Sequence, residues 1–464
     1  MKFIDVHEDI ILEVTRFLDL HDSFNFLVTC STFASLLSFK DFWLKTLDRL
    51  QTVLMLPLPC PVGVNIDEMT TDALRKMAIH AYSLRKSWSS ECAIPVSIQR
   101  ISLDDEYKQI CVIPGTNIVV TSDYKRLSCW HTQSGACLDV IQLDEDNTKT
   151  FIIGKTPPFH LCGQSFISLS CYNRNYSLIV VTLDYRNPDD ITLRKTYSNS
   201  RWPRCEFIGV PDVALNDTMI GMVFTHSAEN LSILMYCKFS DNIVREVPLR
   251  IRLGSDPVCL LKNGDFYLYG QDKSEEPSTV IRVCTDDCSH SPNGVERITL
   301  DIPSLPPVYS TLHVVSDLQL RSTLNGVILV ERKMSRTSLS VPGPAQICAH
   351  VHFSAISDNA SQTAFVSYEH PLNIAHSVVG DSGRFVAIID MELPRHGPNK
   401  KNNLGLVHYI SQPTPHARFH KLDTGDLKVN FYNIVVALDE TLGVVYVQHL
   451  GMGTHSTLHV FSYA

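Results

Sequence analysis

From Cys92 to Ala464 the chain runs for 373 residues as short alternating or β-branched segments, broken by polar turns, with no helical stretch between them. This constrains the fold more than any other feature. Ile118-Val119-Val120-Thr121 reads as a strand, Asp123-Tyr124-Lys125 as a turn, Leu127-Ser128-Cys129-Trp130 as a second strand, Ser134-Gly135 as a turn, and Cys137 to Leu143 as a third strand. The pattern returns downstream. Asn263-Gly264-Asp265 precedes Phe266 to Tyr269, Asp381-Ser382-Gly383 precedes Phe385 to Ile389, Asp439 to Gly443 precedes Val444 to Val447, and the chain ends on Leu458 to Phe461. Asn-Gly and Asp-x-Gly beside apolar alternation are hairpin signals. A chain of this kind must close or stack its sheets, because leftover strand edges invite aggregation. A β-propeller or packed sheets satisfy that demand. At about 40–45 residues per blade, the length predicts seven or eight blades. A pair of β-sandwiches is the other arrangement that fits.

Longer loops are expected at Asp286–Val295, Lys333–Ala345 and Pro394–Asn403, where Ser, Pro, Gly and charge concentrate. The Trp-Asp ending of WD repeats is absent, and Cys129-Trp130-His131 is its nearest counterpart, so the resemblance is to WD architecture.

The first ninety residues have a different texture. Ile10, Ile11, Val14, Phe17 and Leu18 recur at helical spacing, Asp19 and Asp22 offer helix-start chemistry, and Phe24, Phe26, Leu27 and Cys30 form a second apolar set. Phe33, Leu36 and Leu37 form a third, and Phe42-Trp43-Leu44 closes a unit of three short helices. A unit this small cannot bury so many large apolar side chains alone, so either the rest of the chain or a partner covers them. Leu56 to Asn65 has linker composition. A helix then follows, capped by Thr70 to Asp72, with Leu74, Met77, Ala78, Ala81 and Leu84 on one face, ending near Trp88. Its apolar stripe is expected to seal the helical head against the β-rich body. The domain reading is 1–50, 51–91 and 92–464, in a multidomain α+β chain.

Composition limits the function classes. Net charge is −9, which argues against a general nucleic-acid binder. The sequence contains no run of 18 apolar residues and no signal-peptide core, so no membrane span and a cytoplasmic or nuclear location are expected. The 14 cysteines follow no repeating spacing and read as reduced thiols. The glycosylation-type triplets at Asn175, Asn216, Asn230 and Asn359 read as chance matches.

Candidate chemistry is sparse. Cys284, Cys288 and His290 cluster without a second ligand pair, and Cys348, His350 and His352 alternate on one strand face. Neither predicts a metal. The acidic start at Asp144 meets Lys149 and Lys155 where a calcium loop needs Gly and Glu. No phosphate loop, nucleophile elbow or zinc-protease motif occurs, so no catalytic residue and no cofactor are predicted.

The residues Glu8 to Val14, Phe17-Leu18-Asp19, Asp22, Cys30, Phe33 and Phe42-Trp43 resemble an F-box, with Val6-His7 where that family usually has Leu-Pro and Ser23 where it usually has Leu. The linker, helix and Trp88 that follow resemble a segment found after the F-box in many fungal, basidiomycete-type proteins. The resemblance implies a substrate receptor of an SCF-type (Skp-cullin-F-box) ubiquitin ligase. The head would bind the Skp adaptor, and through it cullin, using Ile10, Ile11, Val14, Phe17, Leu18, Cys30 and Trp43. The β-rich body would bind an unidentified target protein, and the chain itself would do no covalent chemistry. The missing proline at His7 would weaken the grip. The alternatives are an F-box scaffold outside a ligase and a propeller hydrolase with a helical cap. If the target carries phosphate, Arg126, Arg201, Arg204, Arg252 and Arg384 are its readers by residue type.

Overall fold

The computed structural model describes residues 7–464 except 16, 53, 55, 62–63, 104–108, 123–125, 144–150, 156–158, 174, 188, 200–206, 227–230, 250–252, 254–256, 271–278, 286–294, 300–317, 324–325, 337–346, 358–362, 371–372, 392–402, 411–413, 426, 428–432 and 451–455. The turn expected at 123–125, most of the loops expected at 286–295 and 394–403, and the acidic stretch at 144–150 lie outside the described residues.

The described strands of the body form seven sheets of four or five strands, arranged in chain order. Sheet 1 holds Gln109–Ile113, Ile118–Ser122, Arg126–His131 and Cys137–Gln142. Sheet 2 runs from Phe151–Lys155 to Thr192–Asn199, sheet 3 from Phe207–Leu215 to Val244–Pro248, and sheet 4 from Val258–Lys262 to Val295–Thr299. Sheet 5 runs from Leu318–Thr323 to Thr363–His370 and sheet 6 from Asn373–Val379 to His416–Leu422. Sheet 7 contributes Asn433–Asp439, Val444–Leu450 and Ser456–Ser462, and its fourth strand is Ser97–Leu103 from the start of the body. The first segment of the body thus pairs with the last, from Ser97↔Ser462 to Leu103↔Ser456. Just before it, Cys92–Ala93 runs parallel to Lys421–Leu422 of sheet 6, so a dozen residues tie two neighbouring sheets together.

Apolar cores between neighbouring sheets close the circuit. Cys111 to Leu143 pack on Ile167 to Leu193, joining sheets 1 and 2. Leu178 and Val180 meet Met222 and Met235 between sheets 2 and 3, and Val223 meets Phe266 between sheets 3 and 4. Tyr269 meets Leu329, Phe353 meets Val407, and Phe385 meets Val445 across the next three boundaries. Val119 and Trp130 of sheet 1 then pack on Tyr446 and Val460 of sheet 7. Strands buried on both faces read as continuous apolar runs, and Ile118–Ser122 is buried throughout. A ring of sheets joined face to face is a β-propeller.

Carboxylates reinforce the boundaries. Asp139 Oδ2 accepts from the Leu193 N–H (2.6 Å), Asp212 Oδ2 from the Cys259 N–H (2.7 Å), and Asp439 Oδ2 from the Gly115 N–H (3.1 Å). The expected loop at 333–345 is shorter than its composition implied, because the second strand of sheet 5 continues through Arg336.

The head contains four α-helices before the linker: α1 (Glu8–Thr15), α2 (Leu20–Val28), α3 (Ser31–Ala34) and α4 (Lys40–Thr52). The expected three-helix unit is corrected here. Phe42-Trp43-Leu44 starts a 13-residue helix that is the longest of the four. The linker helix α5 (Thr71–Trp88) begins as expected, with the Thr70 hydroxyl accepting from the Ala73 N–H at 3.3 Å.

Candidate functional site: the helical head

Side chains finish the starts of α1 and α2. The His7 ring Nδ1 accepts from the Asp9 N–H at 3.4 Å at the start of α1. Asp19 caps α2, its carboxylate accepting from the Asp22 N–H at 2.8 Å and, through its other oxygen, from the Tyr82 hydroxyl at 3.3 Å. The Asp22 N–H is the main reason its carboxyl sits below the usual range.

The head core gathers Ile11, Leu27, Phe33, Leu36, Phe42 and Trp43 with Leu74, Met77, Ala78 and Ala81 of α5. Two site expectations are corrected by this packing. Ile11 and Trp43 are each only 1% exposed, so neither side chain is available to a partner. Ile11 lies on the face of α1 that turns inward. Trp43 is held by α4 with its indole N–H donating to the Leu37 carbonyl at 2.8 Å and its ring edge-on to Phe42 at 4.9 Å. The cover that a small helical unit lacks is supplied by α5 and by Leu56 and Leu58 of the linker.

The remaining candidates fall on the outer face or between. Ile10, Val14 and Phe17 are 53%, 41% and 86% exposed, at i, i+4 and i+7 along α1 and its first turn beyond. Leu18 and Cys30 are half-buried. Phe24 and Val28, one turn apart on α2, are also exposed, and neither was among the expected contact residues. Their spacing within Phe24 to Cys30 was visible, but nothing in the sequence separated the face α5 covers from the face it leaves open. The head therefore presents an apolar stripe on α1 and a shorter one on α2.

A cavity of about 290 Å3 opens beside Phe17. Arg49 crosses its wall and donates through Nη1 to the Leu18 carbonyl and to the Thr15 carbonyl (3.4 Å), tying α4 to the end of α1. The buried Ser23 hydroxyl donates to the same Thr15 carbonyl at 3.1 Å.

The same α5 that completes the head core enters the body core. Leu84 and Trp88 pack with Phe385, Leu438 and Val445, and the Trp88 ring lies 5.0 Å from Phe385. Gly443 has φ +68°, and a Cβ there would come within 2.3 Å of Leu84 Cδ1. Gly115 has φ +73°, and a Cβ there would come within 2.4 Å of the Cys60 carbonyl oxygen. Both glycines sit in turns joining the first and second strands of their sheets, so the head rests on one face of the ring. Under α5 lies a buried acidic pair. Glu440 accepts from the Ser382 hydroxyl at 2.8 Å and from the Ser382 N–H. Burial, and after it the charge of Asp381, pushes the Glu440 carboxyl up to about 7, and burial pushes Asp439 up to about 6.

The other sequence candidates separate. Arg201, Arg204 and Arg252 lie outside the described residues. Arg126 stands where Ser122↔Leu127 pairing starts, at the end of sheet 1 from which its first strand sets out. Arg384 stands at the opposite end of sheet 6, after its first strand has finished. Two arginines at opposite sheet ends do not share a face, so Arg126 and Arg384 do not read one phosphate together. Cys284 ends a strand of sheet 4, while Cys288 and His290 lie outside the described residues. Cys348, His350 and His352 lie on one strand of sheet 5. Among the described residues, no three His, Cys, Asp or Glu side chains gather at metal-binding range, and no helix is long and apolar enough to cross a membrane.

No protein-family model matches the chain, and no curated protein matches it. Solved structures with a similar outline include the WD40 domain of SCAP from fission yeast, at 9% identity over 77% of this chain and 84% of that one, TM-score 0.38. An oligogalacturonate lyase in complex with manganese aligns at 8% identity over 78% of this chain and 90% of that one, TM-score 0.40. The β-propeller domain of the Trilobed protease from Pyrococcus furiosus aligns at 8% identity over 78% and 97%, TM-score 0.39. At these scores the likeness carries no argument, and the propeller assignment rests on the strand pairing and the seven cores. The chain is a β-propeller with a helical head seated on one face.

Proposed function

We propose that the chain is a substrate receptor of an SCF-type ubiquitin ligase, with the head docking on a Skp adaptor and the propeller holding the target. The observation that supports this most is the stripe Ile10, Val14 and Phe17, apolar and open beside the packed core of the head. Covering a side chain as exposed as Phe17 contributes about 1.5–3 kcal/mol, and a few such anchors dominate most interfaces. Phe24 and Val28 extend the apolar area on the next helix. Anchoring α5 in both cores fixes the head relative to the propeller. A receptor of this kind works by proximity, holding its target at high effective concentration beside the charged enzyme, and a stiff joint serves that role.

The test is assembly. Full-length chain mixed with a Skp adaptor, cullin and the ubiquitin-charging enzymes is expected to elute as one complex and to show ubiquitin transfer dependent on the chain. Elution of the chain apart from the adaptor at micromolar concentration would remove the ligase reading.

A further inference from the structure

The cavity beside Phe17 is independent of the adaptor reading. Its walls come from α1, α2, α4 and α5. Its lining includes apolar Leu12, Leu20, Phe42, Leu50 and Leu54 and the exposed Phe17. It also carries three cations, Lys45, Arg49 and Arg85, against one carboxylate, Asp19. Lys45 and Arg49 are one turn apart on α4, so their head groups reach the same side. Arg49 is already committed to the carbonyls at the end of α1. Lys45 and Arg85 have no carboxylate partner among the described residues, in a chain whose net charge is −9. Asp19 is engaged with the Asp22 N–H and the Tyr82 hydroxyl, and the lining as a whole is net positive.

We propose that this pocket binds a small amphiphilic monoanion, a carboxylate on an apolar body. The carboxylate lies between Lys45 and Arg85, with Arg49 behind them. The apolar body lies against Leu12, Leu20, Phe42 and Leu50. Four enclosing helices and mixed walls are the form of a small-ligand pocket, apolar with a few placed charges. Because Phe17 both lines the pocket and forms one end of the α1 stripe, an occupant would change the surface offered there.

The probe is octanoate, titrated calorimetrically into the full-length chain, with octanol and octylammonium as matched bodies of zero and opposite charge. The expected result is saturable one-to-one binding of octanoate alone. Lys45→Gln with Arg85→Gln is expected to weaken it at least tenfold, with an unchanged circular dichroism spectrum, since both side chains are exposed. Leu50→Phe, which enlarges an apolar lining residue, is expected to weaken it as well. Equal binding of the three probes, or octanoate binding indifferent to the double substitution, would overturn the proposal. So would no octanoate binding together with charge-dependent binding of a short Glu-Leu peptide, which would assign the pocket to a partner's acidic side chain.

Discussion

Trp43 and Phe17 show how differently two aromatic residues of one short unit are used. Trp43 fills the head core, and Trp43→Ala is expected to cost about 3–5 kcal/mol and to melt the head. A calorimetric trace of the variant that keeps the wild-type midpoint would contradict that packing. The same burial rules out Ile11→Asp as a probe of docking, because a charge at a 1% exposed site unfolds the helix pack before it reports on binding. Val14→Asp with Phe17→Asp changes only the open face and is expected to leave the fold unchanged. At the seat of the head, the raised Glu440 carboxyl gives a signed pH dependence. Its folded value, about 7, lies above its ordinary one, so its contribution is fully present below about pH 4.5 and is lost as pH rises through 7. Glu440→Gln is therefore expected to leave stability at about pH 4 unchanged and to raise it at pH 8 by on the order of 3 kcal/mol. Chemical denaturation at the two pH values measures this, and an identical pH slope in wild type and variant would contradict it. Asp381, Asp439 and Arg384 face the same carboxylate and set the background slope.

At the scale of elements, α5 is the piece on which the architecture turns. Its first three turns belong to the head core and its last to the body core. Leu84→Ala is expected to loosen the joint by about 2–5 kcal/mol while leaving the head folded around Leu74 and Met77. Hydrogen exchange would show faster opening of the C-terminal turns of α5 and of the Asp439 to Gly443 turn. Unchanged protection there would contradict the shared-core account. Most elements were legible. The Thr70 cap, the α5 stripe, the Asn263-Gly264 turn (φ +52° and +83°) and the strands around Ile118 and Phe385 appear where the pattern placed them. The change of composition near residue 50 is not a break in packing. Leu56, Leu58 and α5 are contiguous in space with α1 to α4, and a proline-rich connector can still bury leucines. The exposed half of α1 was not separable from the buried half for a similar reason, since both are apolar and only the position of α5 distinguishes them.

For the whole molecule, length and texture foretold a large all-β body, and the described strands form sheets of four or five strands each. The closure itself was invisible, because pairing Ser97–Leu103 with Ser456–Ser462 spans nearly the entire body and leaves no local trace. Removing 442–464 takes two strands from sheet 7 and strands Ser97–Leu103 without a partner. That truncation is expected to aggregate, as exposed edges template association. A monomeric truncation with one sharp thermal transition would contradict the closed ring. The proposed function has the open α1 stripe of the head gripping a Skp adaptor. Titrating a purified Skp adaptor into the full-length chain tests it most directly. The account predicts a dissociation constant of about 1 μM or tighter, roughly −8 kcal/mol, for the wild type. It predicts at least a hundredfold weaker binding for Val14→Asp with Phe17→Asp, at an unchanged circular dichroism spectrum. Equal affinity of the two proteins, or no heat of binding from the folded wild type, would contradict it.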